Sequence, residues 1–205
     1  MEVVVDGLPR IHITHKTGAE VFVVDGRPIG KTLSDFWGWS MSDLVDNTAR
    51  GVLAEFIVAT ALGISTESVR DSWASWDLTT PDNVRVEVKS AAYLQSWWQR
   101  GLSKILFRTP KTFAWDPDAG AYAALAQRQA QVYVFALLNH TDKETLNALD
   151  LDQWEFYVLS TAVLDRRTRS QHSITLRTLQ ELATPKLRFD QLLMAVKKAA
   201  SEASL

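Results

Sequence analysis

The sequence predicts an α/β domain, a central mixed β-sheet flanked by helices, with a small β-rich extension in front. Three stretches carry that prediction. Residues 47–63, NTARGVLAEFIVATALG, form the clearest helix, apolar on nearly every side between Val52 and Leu62, as a buried helix is. VYVFALL at 132–138 and WEFYVLS at 154–160 are continuous apolar runs of strand length. Residues 72–90 read as a hairpin, SWASWDL then the turn TTPDN then VRVEVKS, with Pro81 and Asp82 as turn formers.

Taken in order, residues 1–45 are the β-rich extension. The string V-V-D-G-x-P occurs at Val4–Pro9 and again at Val23–Pro28. Asp-Gly is the signal of a type I′ hairpin turn, whose two central residues both need positive φ. GRPIGKT at 26–32 has three residues, not four, between its first glycine and Gly-Lys-Thr, and no apolar helix is expected directly after it. It reads as a hairpin strand rather than a phosphate-binding loop. Residues 46–205 form the main domain. Asp46 or Asn47 can cap the first helix and Gly63 can end it. Residues 91–131 are less regular, with helical patches expected around Ala91–Arg100 and Ala119–Gln131. A looped stretch, DRRTRSQHSITL, follows the last strand, and helices are expected at about 178–183 and 187–201. The order α–β–β–α–β–β–α implies a layered domain.

Composition excludes several classes of function. The net charge is −2, so contact with nucleic acid requires local basic patches. Cysteine is absent, which removes disulfides, cysteine zinc sites and thiol nucleophiles. The first residues lack the basic and apolar regions of a signal peptide, and no stretch approaches a membrane span. A cytoplasmic protein with no membrane partner is expected. The four histidines have no metal-pair spacing.

The chemistry concentrates in the first helix and the hairpin. Glu55 sits among Val52, Ala54, Phe56 and Val58, with no Lys or Arg three or four residues away. A carboxylate in apolar surroundings needs a partner, a cation or a proton. A hairpin centred on Asp82 sets Asp77 opposite Glu87, with Cβ atoms ~4.5–5.5 Å apart, where like charges repel unless a cation lies between them. Glu87 and Lys89 alternate with Val86 and Val88, so the two charges share one strand face. If the Glu55 helix packs on that face, three carboxylates and a lysine converge. Their carboxylates are expected within about 8 Å of one another, room for one or two metal ions. Carboxylate oxygens are the ligands Mg²⁺ prefers, and a neighbouring lysine can orient water or stabilise phosphoryl charge. Alone, Glu-x-Lys marks an ordinary solvated strand face.

Together, R50-G-V-L-A-E55, W76-D77-L and V86-E87-V-K89-S90 resemble the restriction-endonuclease-like superfamily of PD-(D/E)xK nucleases. The resemblance extends loosely to about residue 200. It implies a restriction-endonuclease-like core and a divalent-metal-dependent nuclease that hydrolyses phosphodiester bonds, in DNA above all. Asp77 and Glu87, helped by the Val88 carbonyl, would ligate Mg²⁺ or Mn²⁺. Glu55 would bind metal directly or through water, and Lys89 would activate or orient the attacking water. Gln95, six residues after Lys89, matches a position where such nucleases place a glutamine, and Ser90 would help orient the site or the DNA. Trp76 rather than proline precedes Asp77. The literal Pro81-Asp82 falls in the turn, where Asp82 points away from Glu87.

A DNA-binding surface is expected where bases and aromatics interleave. Trp97 and Trp98 precede Arg100, Lys104, Arg108 and Lys111, a stretch without acids. Arg166, Arg167, Arg169, His172 and Arg177 form a second basic stretch. DNA is the expected partner. A homodimer suits the twofold symmetry of a duplex, and a larger nucleic-acid-processing complex is a further partner to consider. The alternative function is a catalytically silent DNA-binding or protein-interaction module on the same fold. A lost ligand carboxylate would favour it, and none is lost.

Overall fold

The computed structural model describes residues 11–116, 120–168, 170–183 and 185–202. The expected turn at Val4–Pro9, Arg169 and the first residue of the expected 119–131 helix lie outside them.

The extension begins as expected and then departs. β1 (Val21–Val24) and β2 (Arg27–Thr32) pair antiparallel around Asp25 and Gly26, both at positive φ (49° and 74°), as a type I′ turn requires. α1 (Leu33–Met41) then follows β2 without a break, so the extension is not all β. Thr32 ends the strand and starts the helix. Its hydroxyl accepts from the Asp35 N–H, while the Asp35 carboxylate accepts from the Thr32 N–H at 2.7 Å, a reciprocal cap. GRPIGKT is therefore a hairpin strand, but one that does lead into a helix.

In the main domain, the Asp46 carboxylate accepts from the N–H groups of Thr48 and Ala49 and opens α2 (Asn47–Ala61). The remaining elements are β3 (Leu78–Thr79), β4 (Arg85–Ala92), β5 (Leu106–Arg108), β6 (Trp115–Asp116), β7 (Ala121–Tyr122), β8 (Val132–Leu138), β9 (Trp154–Ser160), α3 (Thr161–Asp165), β10 (Ser173–Thr175), α4 (Leu176–Leu182) and α5 (Leu192–Glu202). The central sheet runs β3-β4-β8-β9, with β4 parallel to β8 and the outer pairs antiparallel, a mixed sheet as expected.

Three expectations fail for identifiable reasons. Of SWASWDL, only Leu78 enters a strand. The Asp71 carboxylate accepts from the Trp73 N–H, and such local bonds draw short polar residues into turns. The helix expected over 91–100 does not form, because Ala91 and Ala92 continue β4 beside Leu137 and Leu138. Pairing beside a buried strand outweighs alanine's helical preference. Over 120–131 there is likewise no helix. The chain forms β7, and Gln127 exchanges backbone hydrogen bonds with Thr112 before β8.

Side-chain alternation splits the sheet into two cores. On one face, Val86, Val88, Val134, Ala136 and Phe156 pack against Ala54 and Val58 of α2 and Leu192 and Val196 of α5. On the other, Tyr133, Phe135, Leu137 and Tyr157 pack against Phe107 of β5, Ile174 of β10 and Leu179 of α4. β8 is buried along its whole length, which explains its unbroken apolar run.

Candidate active site at the sheet edge

The site lies at the β3 edge of the sheet, where regular pairing stops. Leu78 pairs with Val86 and Thr79 with Arg85, the register expected for a turn centred on Asp82. One residue earlier the chain has left the ladder. Instead of simply facing Glu87, Asp77 turns its carboxylate onto the edge of β4, where Oδ2 accepts from the Val88 N–H at 2.7 Å. Within a strand, the N–H and C=O of one residue point the same way, so the Val88 carbonyl opens onto the same edge. Asp82, in the turn, pairs with Lys197 of α5 at 3.0 Å and takes no part, as expected.

Glu87 and Lys89 share a strand face and form an ion pair, Nζ donating to Oε1. Both are half-buried. α2, however, packs on the valine face of β4, not on the Glu87 and Lys89 face, which corrects the expected packing. The valine face is the one that can bury apolar helix residues, so the helix had no choice of side. By alternation Ser90 belongs to the valine face too, turned away from Glu87 and Lys89. The charged groups meet by converging on the edge from both faces, with Asp77 between them.

Glu55 projects from α2 towards this edge and is buried. Its partner is Arg70, fifteen residues along the chain. Nη2 donates to Oε1 at 2.8 Å and Nε donates to Oε2, a bidentate fork. Sequence reasoning missed Arg70. The signal was an unpaired buried carboxylate, which demanded a cation without saying which one. Glu55, Arg70 and Asp77 line a cleft of about 850 Å³, walled by Phe56 and Val69 and closed on the far side by Ile13–Lys16 and Trp37 of the extension.

The electrostatics join the three carboxylates. Burial pushes the Glu55 carboxyl above its usual range. Arg70 opposes that shift, and the negative charge of Asp77 adds to it. Burial also pushes Glu87 up, against the attraction of Lys89 and with repulsion from Asp77 and Glu55. Glu55 therefore feels Asp77, and Glu87 feels both, across the strand edge. They do not form a three-carboxylate cage: among the described residues, no three Asp, Glu or His side chains come together as a metal-holding group. Arg70 has taken both oxygens of Glu55, and Lys89 has taken one of Glu87. Tyr133, beside Glu87 in the β8 register, is pushed well above its usual range, mainly by burial, and stays protonated.

Gln95 is not at the start of a helix. It lies in the loop after β4, buried, with Nε2 donating to the Ala92 carbonyl at 3.2 Å and to Ser103 Oγ at 3.3 Å. Its own N–H donates to Gln99 Oε1 at 2.7 Å. Here it braces the loop that carries Trp97 and Trp98. Those two indoles are 50% and 77% exposed, and Arg100, Lys104, Arg108 and Lys111 are exposed as well, so the first basic stretch faces solvent. Lys111 also reaches Asp165 at 3.6 Å. In the second stretch, Arg177 pairs with Glu181 and Arg167 donates to the Ser173 carbonyl.

The family profile of bacteriophage T4 endonuclease IV matches residues 37–178, more than half of the 205-residue chain. The chain belongs to that family. It is a nuclease. The match contains Glu55, Arg70, Asp77, Glu87 and Lys89, and it leaves the β1–β2 hairpin outside. Among curated proteins, no sequence matches the chain significantly.

Proposed function

We propose that this chain is a divalent-metal-dependent endonuclease that hydrolyses DNA phosphodiester bonds at the β3–β4 edge, on a PD-(D/E)xK-type core. The observation that carries the reading is the Asp77 carboxylate fixed on the Val88 N–H, next to the Glu87–Lys89 pair, in a chain of an endonuclease family. The four-stranded mixed sheet with α2 against β4 is compatible with a restriction-endonuclease-like core.

The donor set suits a hard cation. Asp77 keeps Oδ1 free of the Val88 bond, Glu87 lies on the adjoining strand face, and the Val88 carbonyl opens onto the same edge. Mg²⁺ takes few protein carboxylates and keeps several waters, so two carboxylates and a carbonyl suffice. Burial above all pushes Glu55 and Glu87 up, with repulsion from Asp77 adding to it, and a cation at the edge would favour their ionised forms. Bound Mg²⁺ or Mn²⁺ supplies positive charge against the phosphoryl oxygens and favours an ionised water as nucleophile.

The chain's own groups do the rest. Glu87 holds the Lys89 ammonium at the edge, where it can donate to the attacking water or to a phosphoryl oxygen as charge develops. Arg70 favours the ionised form of Glu55 and orients it towards the cleft. Arg100, Lys104, Arg108 and Lys111 offer charge to backbone phosphates, and Trp98 offers a face for stacking.

The test is a cleavage assay on plasmid, linear duplex and single-stranded DNA, with Mg²⁺, Mn²⁺ or EDTA, comparing wild type with Lys89→Ala. Metal-dependent cutting that Lys89→Ala abolishes is the expected result. Cutting that persists in EDTA removes the metal from the proposal. Cutting unaffected by Lys89→Ala removes the site.

A further inference from the structure

The extension breaks the usual rule of burial. All four residues of β1, VFVV, are exposed on both faces of the hairpin, and Ile29 of β2 is 55% exposed. α1 buries none of its residues, although its sequence LSDFWGWSM holds Phe36, Trp37, Trp39 and Met41. Trp39 is 84% exposed. The arm is nevertheless well built. The reciprocal cap at Thr32 starts α1, and Gly18, buried at φ +91°, lets the chain pass close to α1. A Cβ there would run into Ser34 Oγ and the Trp37 ring. A formed, apolar, uncovered element calls for a partner, since a two-stranded hairpin is marginal in water on its own.

The chemistry of that partner can be read from the arm. Residues 11–41 carry three cations, Lys16, Arg27 and Lys31, and three carboxylates, Glu20, Asp25 and Asp35. That balance gives the arm no net attraction to phosphate, unlike the acid-free stretch from Arg100 to Lys111. An aromatic side chain offers 150–250 Å² and an aliphatic one less. At the observed exposures, the nine exposed large apolar side chains of β1, β2 and α1 present on the order of 900 Å² over the faces of the arm. The largest patch on a typical monomer is about 300–600 Å². A stable dimer buries about 800 Å² from each partner, the same order as the apolar surface of the arm. A second identical arm that packs about a twofold axis covers one face of the hairpin together with α1, and a self-complementary patch needs no other molecule.

We infer that the β1–β2–α1 arm is a homodimerisation surface and that its occupant is the arm of a second copy of this chain. The β1–β2 hairpin and Phe36 precede the family match, which begins at residue 37, and the inference uses none of the proposed catalytic groups.

Sedimentation equilibrium across the micromolar range tests it. The expected mass is twice the 23.0 kDa chain. Val23→Asp with Trp39→Ser should return the single-chain mass, while far-ultraviolet circular dichroism and cooperative melting of the sheet core are retained. Because the chain lacks cysteine, Ser40→Cys, exposed on α1, gives one labelling site. Mixed donor- and acceptor-labelled copies should then show energy transfer that the double variant abolishes. A wild type that stays monomeric at every concentration overturns the inference. A dimer whose mass the double variant leaves unchanged also overturns it, because the contact then lies elsewhere.

Discussion

Two regions of the molecule invert the rule of apolar inside and polar outside, in opposite directions. The β3–β4 edge buries Glu55 and half-buries Asp77, Glu87 and Lys89. The arm exposes VFVV, Ile29 and Trp39. Each arrangement is costly alone. Buried acids are harder to ionise, and exposed aromatics forgo their burial energy. At the edge the cost is partly met within the chain, by Arg70, Lys89 and the Val88 N–H. In the arm nothing comparable among the described residues covers the apolar faces. A charged cluster can be prepared by local ion pairs and still await a cation and a phosphate, whereas apolar surface is relieved only by more apolar surface.

Variants can break or sharpen this contrast. The largest effect is expected at the edge. Lys89→Ala should lower cleavage by roughly 10²- to 10⁴-fold, the range of a positioned proton-transfer or electrostatic group. Circular dichroism should remain that of the wild type. Asp77→Asn should be as inactive and well folded, because its amide oxygen can still accept from Val88. A core change should do the reverse. Phe135→Ala, at the T-shaped contact with Phe107, should cost about 3–5 kcal/mol in denaturant unfolding.

Arg70→Ala tests whether Glu55 depends on its fork. Arg70 holds the Glu55 pKa down against burial, so removing it should raise that pKa further. The acid limb of the pH–rate profile should move to higher pH, and an unmoved limb would separate Glu55 from the reaction. Glu87→Gln sharpens the same point through stability. The folded-state pKa of Glu87 is raised above its usual 4.5. Its contribution is therefore fully present below the unfolded value and is lost as pH rises through the folded one. The variant should gain on the wild type as pH rises through that window, read from melting midpoints. The smallest effect belongs to the arm. Thr32→Ala removes one half of the α1 cap and should cost about 1 kcal/mol locally, visible as faster amide exchange in α1 with cleavage unchanged.

Much of the fold was legible because its determinants are neighbours in sequence. The I′ turn at Asp25-Gly26, the Asp46 cap, the β3–β4 register and the buried run of β8 all follow from residues a few positions apart. The misreadings lay where short-range preference met a distant partner. Ala91 and Ala92 favour a helix by themselves but lie beside Leu137 and Leu138 in the sheet. SWASWDL has the aromatics of a strand, but Asp71 just before it accepts from the Trp73 N–H and draws its first residues into a turn.

The candidate site divides in the same way. Alternation along β4 suffices to put Glu87 and Lys89 on one face, and the turn at Asp82 suffices to bring Asp77 alongside, since backbone geometry and pairing register set both. That Glu55 needed a cation was also legible, from the cost of burying a lone carboxylate. Which cation it would be was not. Arg70 is reached through a loop, and no periodicity links positions 55 and 70. Nor could alternation alone say that α2 would take the valine face and that the charges would meet at the sheet edge. That choice belongs to packing, because only the valine face can bury a helix without stranding Glu87 and Lys89.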